Sequence, residues 1–301
     1  MSWLLIIVSI IIVWVASLYK IINASRSQSN SVFLSTGDKR IVLLVIAHPD
    51  DESMFFSPTI NYLTSRGHSI YILCMSIGYS LSLINQLSYM CFIIHSHIRS
   101  SLTKEIQELC CIFKLQATQF CTSNADGMGN IRKDELYRAC AVLKVPPEHV
   151  KVLDQVDFQD GFGNVWNRNL LAKIVEEEVI THGIDLIITF DNYGVSGHCN
   201  HRDVHHGICN FLTETSCSNI EAWELISINI LRKYSGPLDI WLSFLSAMHY
   251  PSGKFQCLLN EHPGKSFLAM SEHLSQWVWF RKLFVSFSSY TYVNTLRRIH
   301  N

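Results

Sequence analysis

Imidazole and carboxylate donors crowd together in two stretches, Ala47-His48-Pro49-Asp50-Asp51-Glu52 and Gly194-Val195-Ser196-Gly197-His198-Cys199-Asn200-His201. His48, Asp51 and His201 are the nitrogen and oxygen donors that zinc accepts in a catalytic site with a fourth position open for water. Asp50 then stands beside the metal without ligating it. A zinc-bound water loses its proton near neutral pH, and a neighbouring carboxylate can take that proton as the water attacks a carbonyl carbon. His198, three residues before His201, would as an imidazolium stabilise a tetrahedral oxyanion or protonate a leaving amine. These are the parts of amide hydrolysis. Each stretch also has a plainer reading: His-Pro-Asp-Asp-Glu as a turn and helix cap with acids on the helix dipole, and His201 with His205 as an i, i+4 pair on a helix face.

What must position these residues is an alternation of strands and helices. Ile41–Ile46 is a continuous aliphatic run, suited to a strand buried on both faces of a parallel sheet. Helical patterns follow over 53–65, 134–145 and 170–182, interleaved with strand patterns over 70–77, 150–153 and 185–190. This order predicts an α/β fold, a three-layer sandwich around an open, mostly parallel, Rossmann-like sheet. Ligands in such sheets sit beyond the carboxyl ends of the strands, and both donor stretches directly follow predicted strands. That coincidence favours a shared site over two separate caps.

The chain has 301 residues, enough for a large core, and a net charge of −1, which excludes a global pull toward nucleic acid. Charged residues make up only 16% and the mean hydropathy is +0.17, so the chain is not disordered and part of it is expected to meet lipid. Residues 1–22 predict a single transmembrane anchor, because 3–18 carry no charge and the run approaches the ~20 residues that span a bilayer. Lys20, Arg26, Lys39 and Arg40 follow it, which places the body on the cytosolic side by the positive-inside rule. Residues 23–38, rich in Ser, Asn and Thr, read as a tether, and 39–301 as the catalytic domain. Ten cysteines with no Cys-x-x-Cys pair argue against a disulfide framework and for free thiols in a reducing compartment. The stretch 270–299 has Trp277, Trp279, Phe280, Phe284, Phe287 and Tyr290 flanked by Arg281, Lys282, Arg297 and Arg298, a pattern suited to an interfacial helix.

Together the Ala-His-Pro-Asp-Asp-Glu and Gly-Val-Ser-Gly-His-Cys-Asn-His motifs resemble the LmbE-like, or PIG-L-type, zinc de-N-acetylases. The Gly-Val-Ser-Gly form, the apolar start and the stretch from His273 to Arg281 are similar to the eukaryotic branch of that family. The resemblance covers roughly 41–78 and 124–298. It implies removal of acetate from N-acetylglucosaminyl-phosphatidylinositol at the cytosolic face of the endoplasmic reticulum membrane, the second step of GPI-anchor assembly. It further implies His48, Asp51 and His201 as ligands of Zn2+ or another divalent metal, Asp50 as general base, and His198 as the oxyanion-stabilising or proton-donating group. Arg132, in Gly129-Asn130-Ile131-Arg132, matches the family arginine that contacts substrate and here would meet the lipid phosphate. The partners so implied are GlcNAc-phosphatidylinositol and the lipid bilayer, with no nucleic acid and no legible protein partner.

One segment departs from the family pattern. Met75-Ser76-Ile77-Gly78 and Asn124-Ala125-Asp126-Gly127-Met128-Gly129 are continuous in the family, whereas here residues 79–123 separate them. This insertion holds four of the cysteines and only five charged residues, unlike an ordinary polar surface loop. It reads as translated intronic or alternatively spliced sequence. Two rival functions follow: a de-N-acetylase of a soluble GlcNAc conjugate, or an inactive insertion-bearing variant serving as a binding or scaffold protein.

Overall fold

The aliphatic run at the start of the body is β1 (Ile41–Ile46), whose residues beyond Ile41 are buried, as a central parallel strand requires. The computed structural model describes residues 2–24, 39–77, 128–160, 165–214, 220–249 and 254–299, except for the side chains of 2–4, 6, 7, 10, 22 and 24. The insertion at 79–123, its flanks Gly78 and Asn124 to Gly127, and the expected tether over 25–38 lie outside them.

In chain order the body runs β1, α2 (Asp51–Met54), α3 (Ser57–Ser65), β2 (Ser69–Cys74), α4 (Met128–Val142), β3 (Val150–Val152), α5 (Arg168–His182) and β4 (Leu186–Phe190). There follow α6 (Cys199–Glu214), β5 (Glu221–Leu225), α7 (Ile230–Lys233), α8 (Asp239–His249), β6 (Phe255–Leu259), α9 (Pro263–Glu272), α10 (Trp279–Phe287) and β7 (Val293–Arg298). The seven strands form one mixed sheet in the order β3-β2-β1-β4-β5-β7-β6. Strands β1 to β5 are mutually parallel, with Val42 facing Leu186 and Val45 facing Leu73, while β7 pairs antiparallel with both β5 and β6. The expected α/β arrangement, a mostly parallel sheet with flanking helices, is therefore present, with an antiparallel edge added. β2 and β4 flank β1 on opposite sides, so the strand order reverses at β1/β4. That is the switch point where a crevice opens beyond the carboxyl ends.

The local chemistry explains several boundaries. Asn167 caps α5 by accepting the Leu170 N–H, and Gly183, with φ 63°, ends it in the left-handed conformation glycine tolerates. The single helix expected over 53–65 is two, because the chain turns at Phe55 and Phe56 before restarting with Pro58 near the start of α3. Phe55 and Phe56 both point into the core against Phe190. Among the described residues Cys74, Cys140, Cys199, Cys209 and Cys257 are unpaired.

The stretch 270–299 is not one interfacial helix. It breaks at a short 3-10 turn over Leu274–Gln276, resumes as α10, turns again at Ser289–Thr291 and ends as strand β7 inside the sheet. Tyr290 is buried with its hydroxyl accepting from the Ile228 N–H, so it belongs to the core. Arg297 pairs with Glu224 across the β5/β7 pair, while Arg298 stands 3.9 Å from Glu221 and remains half-exposed.

Helix α1 (Ser2–Ala24) covers the expected anchor and docks on the body by its carboxyl-terminal part. Ile21 packs with Ile240, Tyr292 and Val293, the Trp241 indole donates to Ser17 Oγ at 2.8 Å, and Lys20 Nζ lies over the Trp241 and Phe244 rings. Among the described residues no helix is long and apolar enough to cross a membrane, so the expected span is not demonstrated.

Candidate metal and catalytic site

The loop after β1 folds back on itself because Asp51 reaches across it. Asp51 Oδ2 accepts the backbone N–H groups of Ala47 and His48 at 3.0 and 2.8 Å, fixing one oxygen and leaving Oδ1 turned outward. Asp50 sits at φ 123°, a backbone region that an ordinary side chain rarely occupies. It is held there by Glu52, whose Oε2 accepts the Asp50 N–H at 3.0 Å. Behind it, His273 Nε2 lies 2.7 Å from Glu52 Oε1, and neither side chain reaches solvent. His273, named in the sequence only as the start of a stretch similar to the eukaryotic branch, thus braces the loop from beneath.

The loop after β4 is clamped just as firmly. Asp191 accepts from the N–H groups of Tyr193, Gly194 and Ser227 and from the Ser227 hydroxyl. Ser227 Oγ accepts the Val195 N–H at 2.7 Å, and Lys233 donates to the Val195 carbonyl at 2.8 Å. Val195 is a β-branched residue at φ 66°, the kind of outlier that surrounding structure must hold in place. The turn delivers His198 and opens α6, which carries His201.

Both loops then face one crevice. The rings of His48 and His201 are 5.5 Å apart between centroids, His48 and His198 4.9 Å, and His198 and His201 4.7 Å. Ring nitrogens of these three histidines lie within 4.8 Å of one another, near enough to share an ion. Asp51 joins them, with Oδ1 3.1 Å from His201 Nε2 and Oδ2 3.8 Å from His48 Nδ1. His201 Nδ1 is engaged by the Gly194 carbonyl at 3.1 Å, and its face stacks on Phe190 at 4.0 Å, so Nε2 is the nitrogen presented to the crevice. That Nε2 and His198 Nδ1 are buried without a hydrogen bond. Two orphaned ring nitrogens beside a buried carboxylate fit a divalent cation, because a buried lone pair without a partner is otherwise unfavourable.

The electrostatics follow from burial and crowding. Burial raises the pKa of Asp51, yet His201 and then His48 outweigh it and hold the carboxyl well below its ordinary range. Burial lowers His48, but Asp160, Asp51 and Asp50 together lift it above its usual value. His198 falls to about 3, from burial first and from His201 and His48 next. The imidazolium expected at His198 is therefore not its resting form; in this site it is a neutral ring.

Arg132 is not the solvated charge a lone arginine near a loop usually is. It is buried, donates to the Pro49 carbonyl at 2.9 Å, and stands 3.7 Å from Asp50 Oδ2. Arg281, expected on the lipid side of an interfacial helix, instead forms a buried ion pair with Asp50. Helical spacing explains the reversal, since Arg281 and Val285 share the inward face of α10 while Trp279, Leu283 and Phe287 share the outward one. Sequence reasoning also passed over Asp160 and Asn200. Asp160 Oδ1 lies 3.4 Å from His48 Nε2, and the Asn200 amide nitrogen is 3.0 Å from the same atom and donates to Asp160 at 3.1 Å. Asn200 was legible as part of the second motif; Asp160, in a loop far along the chain from either motif, gave no such signal.

The chain is similar to known proteins over most of its length. Residues 43–212 match the family model described as PIG-L, GlcNAc-PI de-N-acetylase. The chain is 30% identical over 305 residues to a probable N-acetylglucosaminyl-phosphatidylinositol de-N-acetylase of Dictyostelium discoideum, covering 92% of this chain and 98% of that protein. It is 33% identical over 258 residues to the N-acetylglucosaminyl-phosphatidylinositol de-N-acetylase of Bos taurus, covering 84% and 81%. Among solved structures, the deacetylase Dbv21 acting on the A40926 pseudoaglycone shares the fold, with a TM-score of 0.53 at 12% identity over 87% of this chain and 97% of that one.

Proposed function

The chain belongs to the PIG-L family of GlcNAc-PI de-N-acetylases, and from that premise and the crevice geometry we propose that it hydrolyses the acetamide of N-acetylglucosaminyl-phosphatidylinositol. The products are acetate and glucosaminyl-phosphatidylinositol, the second step of GPI-anchor assembly. The observation that carries this reading is the convergence of His48, Asp51 and His201 on one buried point with Asp50 alongside.

Of the four candidate donors, His48, Asp51 and His201 are assigned as the ligands of a divalent ion, zinc or one of similar demands. Asp51 is preferred to His198 because its Oδ2 is already tied to two backbone amides, which aims Oδ1 at His201. When bound, such an ion supplies Lewis acidity and makes water a nucleophile near neutral pH. The protein's own residues do the rest. Asp50 accepts the proton of the attacking water, and Arg132 and Arg281 hold its carboxylate in place. His198, neutral at rest, donates a hydrogen bond to the oxygen of the tetrahedral intermediate as negative charge gathers there. Asp50 then hands the proton it took from the water to the leaving amine as the C–N bond breaks. Buried against Pro49 and Asp50, Arg132 is assigned to holding the base rather than to the substrate's phosphate that the family resemblance implied.

A lipid-linked sugar suits a body held near a bilayer. From the uncharged run over 3–18 and the basic residues after it, we infer that the amino-terminal segment holds the protein at the endoplasmic reticulum membrane with the catalytic body facing the cytosol. The outward face of α10, with Trp279, Leu283 and Phe287 exposed, then meets the interface, so only the sugar need enter the crevice. Turnover of synthetic GlcNAc-phosphatidylinositol and of lipid-free GlcNAc-inositol phosphate by the full chain tests the substrate. Preference for the lipid-linked form supports the reading. Equal or better turnover of the lipid-free sugar overturns the substrate, and no turnover of either by the metal-loaded chain favours the inactive variant.

A further inference from the structure

Metal-ligating histidines commonly donate their second ring N–H to a carboxylate, which fixes tautomer and ring orientation. Building on the ligand set assigned above, we propose that Asp160 is the positioning residue for His48, accepting the Nε2 proton so that Nδ1 faces the ion. Three observations carry this. His48 Nδ1 is the nitrogen on the Asp51 side, at 3.8 Å from Oδ2, so the ring reaches the shared point through that atom. Nε2 points the other way, with Asp160 Oδ1 at 3.4 Å and the Asn200 amide nitrogen at 3.0 Å. A histidine ligating through Nδ1 carries its proton on Nε2, and of those two neighbours the carboxylate oxygen is the acceptor.

Asp160 is itself held. Its side chain is only 4% exposed, and Oδ1 also accepts from the Asn200 amide at 3.1 Å. Asn200 stands one residue before His201, so the bridge Asp160-Asn200 ties the orientation of one histidine to the helix that carries the other. Trp166, whose ring centroid is 6.0 Å from that of His48, closes the remaining side. A loop residue thereby joins two distant motifs into one rigid ligand set, and carboxylate charge beside the ring strengthens His48 as a donor.

The test uses the full chain and zinc itself as probe, in competition with a chelator of known affinity. Asp160→Asn keeps the shape and removes the charge; it is expected to weaken zinc binding by about 10- to 100-fold while leaving the melting temperature of the metal-free protein unchanged. Asp160→Glu should restore part of the affinity. Zinc affinity within about twofold of wild type in Asp160→Asn overturns the proposal. If the variants do not fold, 15N NMR of the zinc-loaded wild type decides: a proton on His48 Nε2 with the metal on Nδ1 supports the role, and the opposite tautomer overturns it, making Asp160 a candidate ligand instead. Failure of the substrate reading shows separately, as a zinc-replete wild type that releases no acetate.

Discussion

Gly194 is where backbone conformation and metal geometry meet most closely, so Gly194→Ala is a demanding test of the site. Gly194 has φ +66°, and a Cβ built there would lie 2.7 Å from His201 Cβ and 3.2 Å from the Arg202 backbone nitrogen. A contact under 3.0 Å requires His201 or the loop to retreat by several tenths of an ångström, since the atoms it meets are not the far end of a flexible chain. Metal–ligand bonds tolerate only about 0.2 Å of displacement. The same residue's carbonyl engages His201 Nδ1 at 3.1 Å, so the movement also loosens the group that sets the ring's orientation. The left-handed backbone adds roughly 1 to 2 kcal/mol of strain for alanine. We expect a lowered melting temperature and zinc affinity reduced by about tenfold or more, with turnover partly recovered in excess zinc. Zinc titration against a chelator, beside thermal melting of the metal-free form, separates the two effects. A variant that melts earlier yet binds zinc like the wild type would refute the claim that His201 is a ligand positioned by this turn.

Asp50→Ala should keep zinc and lose most turnover, whereas His48→Ala should lose zinc affinity as well; equal metal loss in both would mean that base and ligand are assigned the wrong way round. His273→Ala removes the 2.7 Å partner of the buried Glu52 carboxylate and should destabilise the protein by about 1 to 3 kcal/mol, measured by denaturant unfolding; a change below about 0.5 kcal/mol would show that the pair does not brace the loop. The metal-free protein should lose stability as pH falls. His198, held to about 3 by burial, stays neutral in the fold while the unfolded chain takes up a proton near its ordinary value, so each pH unit below about 6.5 removes up to about 1.4 kcal/mol. His48 works in the opposite sense, its raised pKa adding stability below the ordinary value that is lost as pH rises through the folded one. His198→Gln should flatten the slope between about pH 6.5 and 4, and an unchanged slope would place the titrating group elsewhere.

The parallel half of the fold and the two donor motifs at its crevice were readable because each follows from short-range pattern. Ile41–Ile46 is uninterrupted aliphatic sequence, and the donor motifs come immediately after β1 and β4, where the strand order reverses. The antiparallel edge was not readable. β7, Val-Asn-Thr-Leu-Arg-Arg, owes its strand pairing to partners on β5 and β6, and Arg297 pairs with Glu224 rather than with anything nearby in sequence. Arg281 was misread for the same reason. Its basic, aromatic neighbourhood resembles an interfacial helix, but the face it occupies is decided by packing against Asp50, 231 positions away. Asp160 shows the limit most clearly, since a single aspartate in a loop acquires meaning only when the fold brings it to His48.

The most direct test of the account is the stoichiometry of acetate release from GlcNAc-phosphatidylinositol by the full chain, before and after metal removal and after zinc is restored. The account predicts one acetate for each free amine formed, loss of activity on chelation, return with one equivalent of zinc, and no return in His201→Ala. Folded protein that binds one zinc through these residues and still liberates no acetate would contradict it.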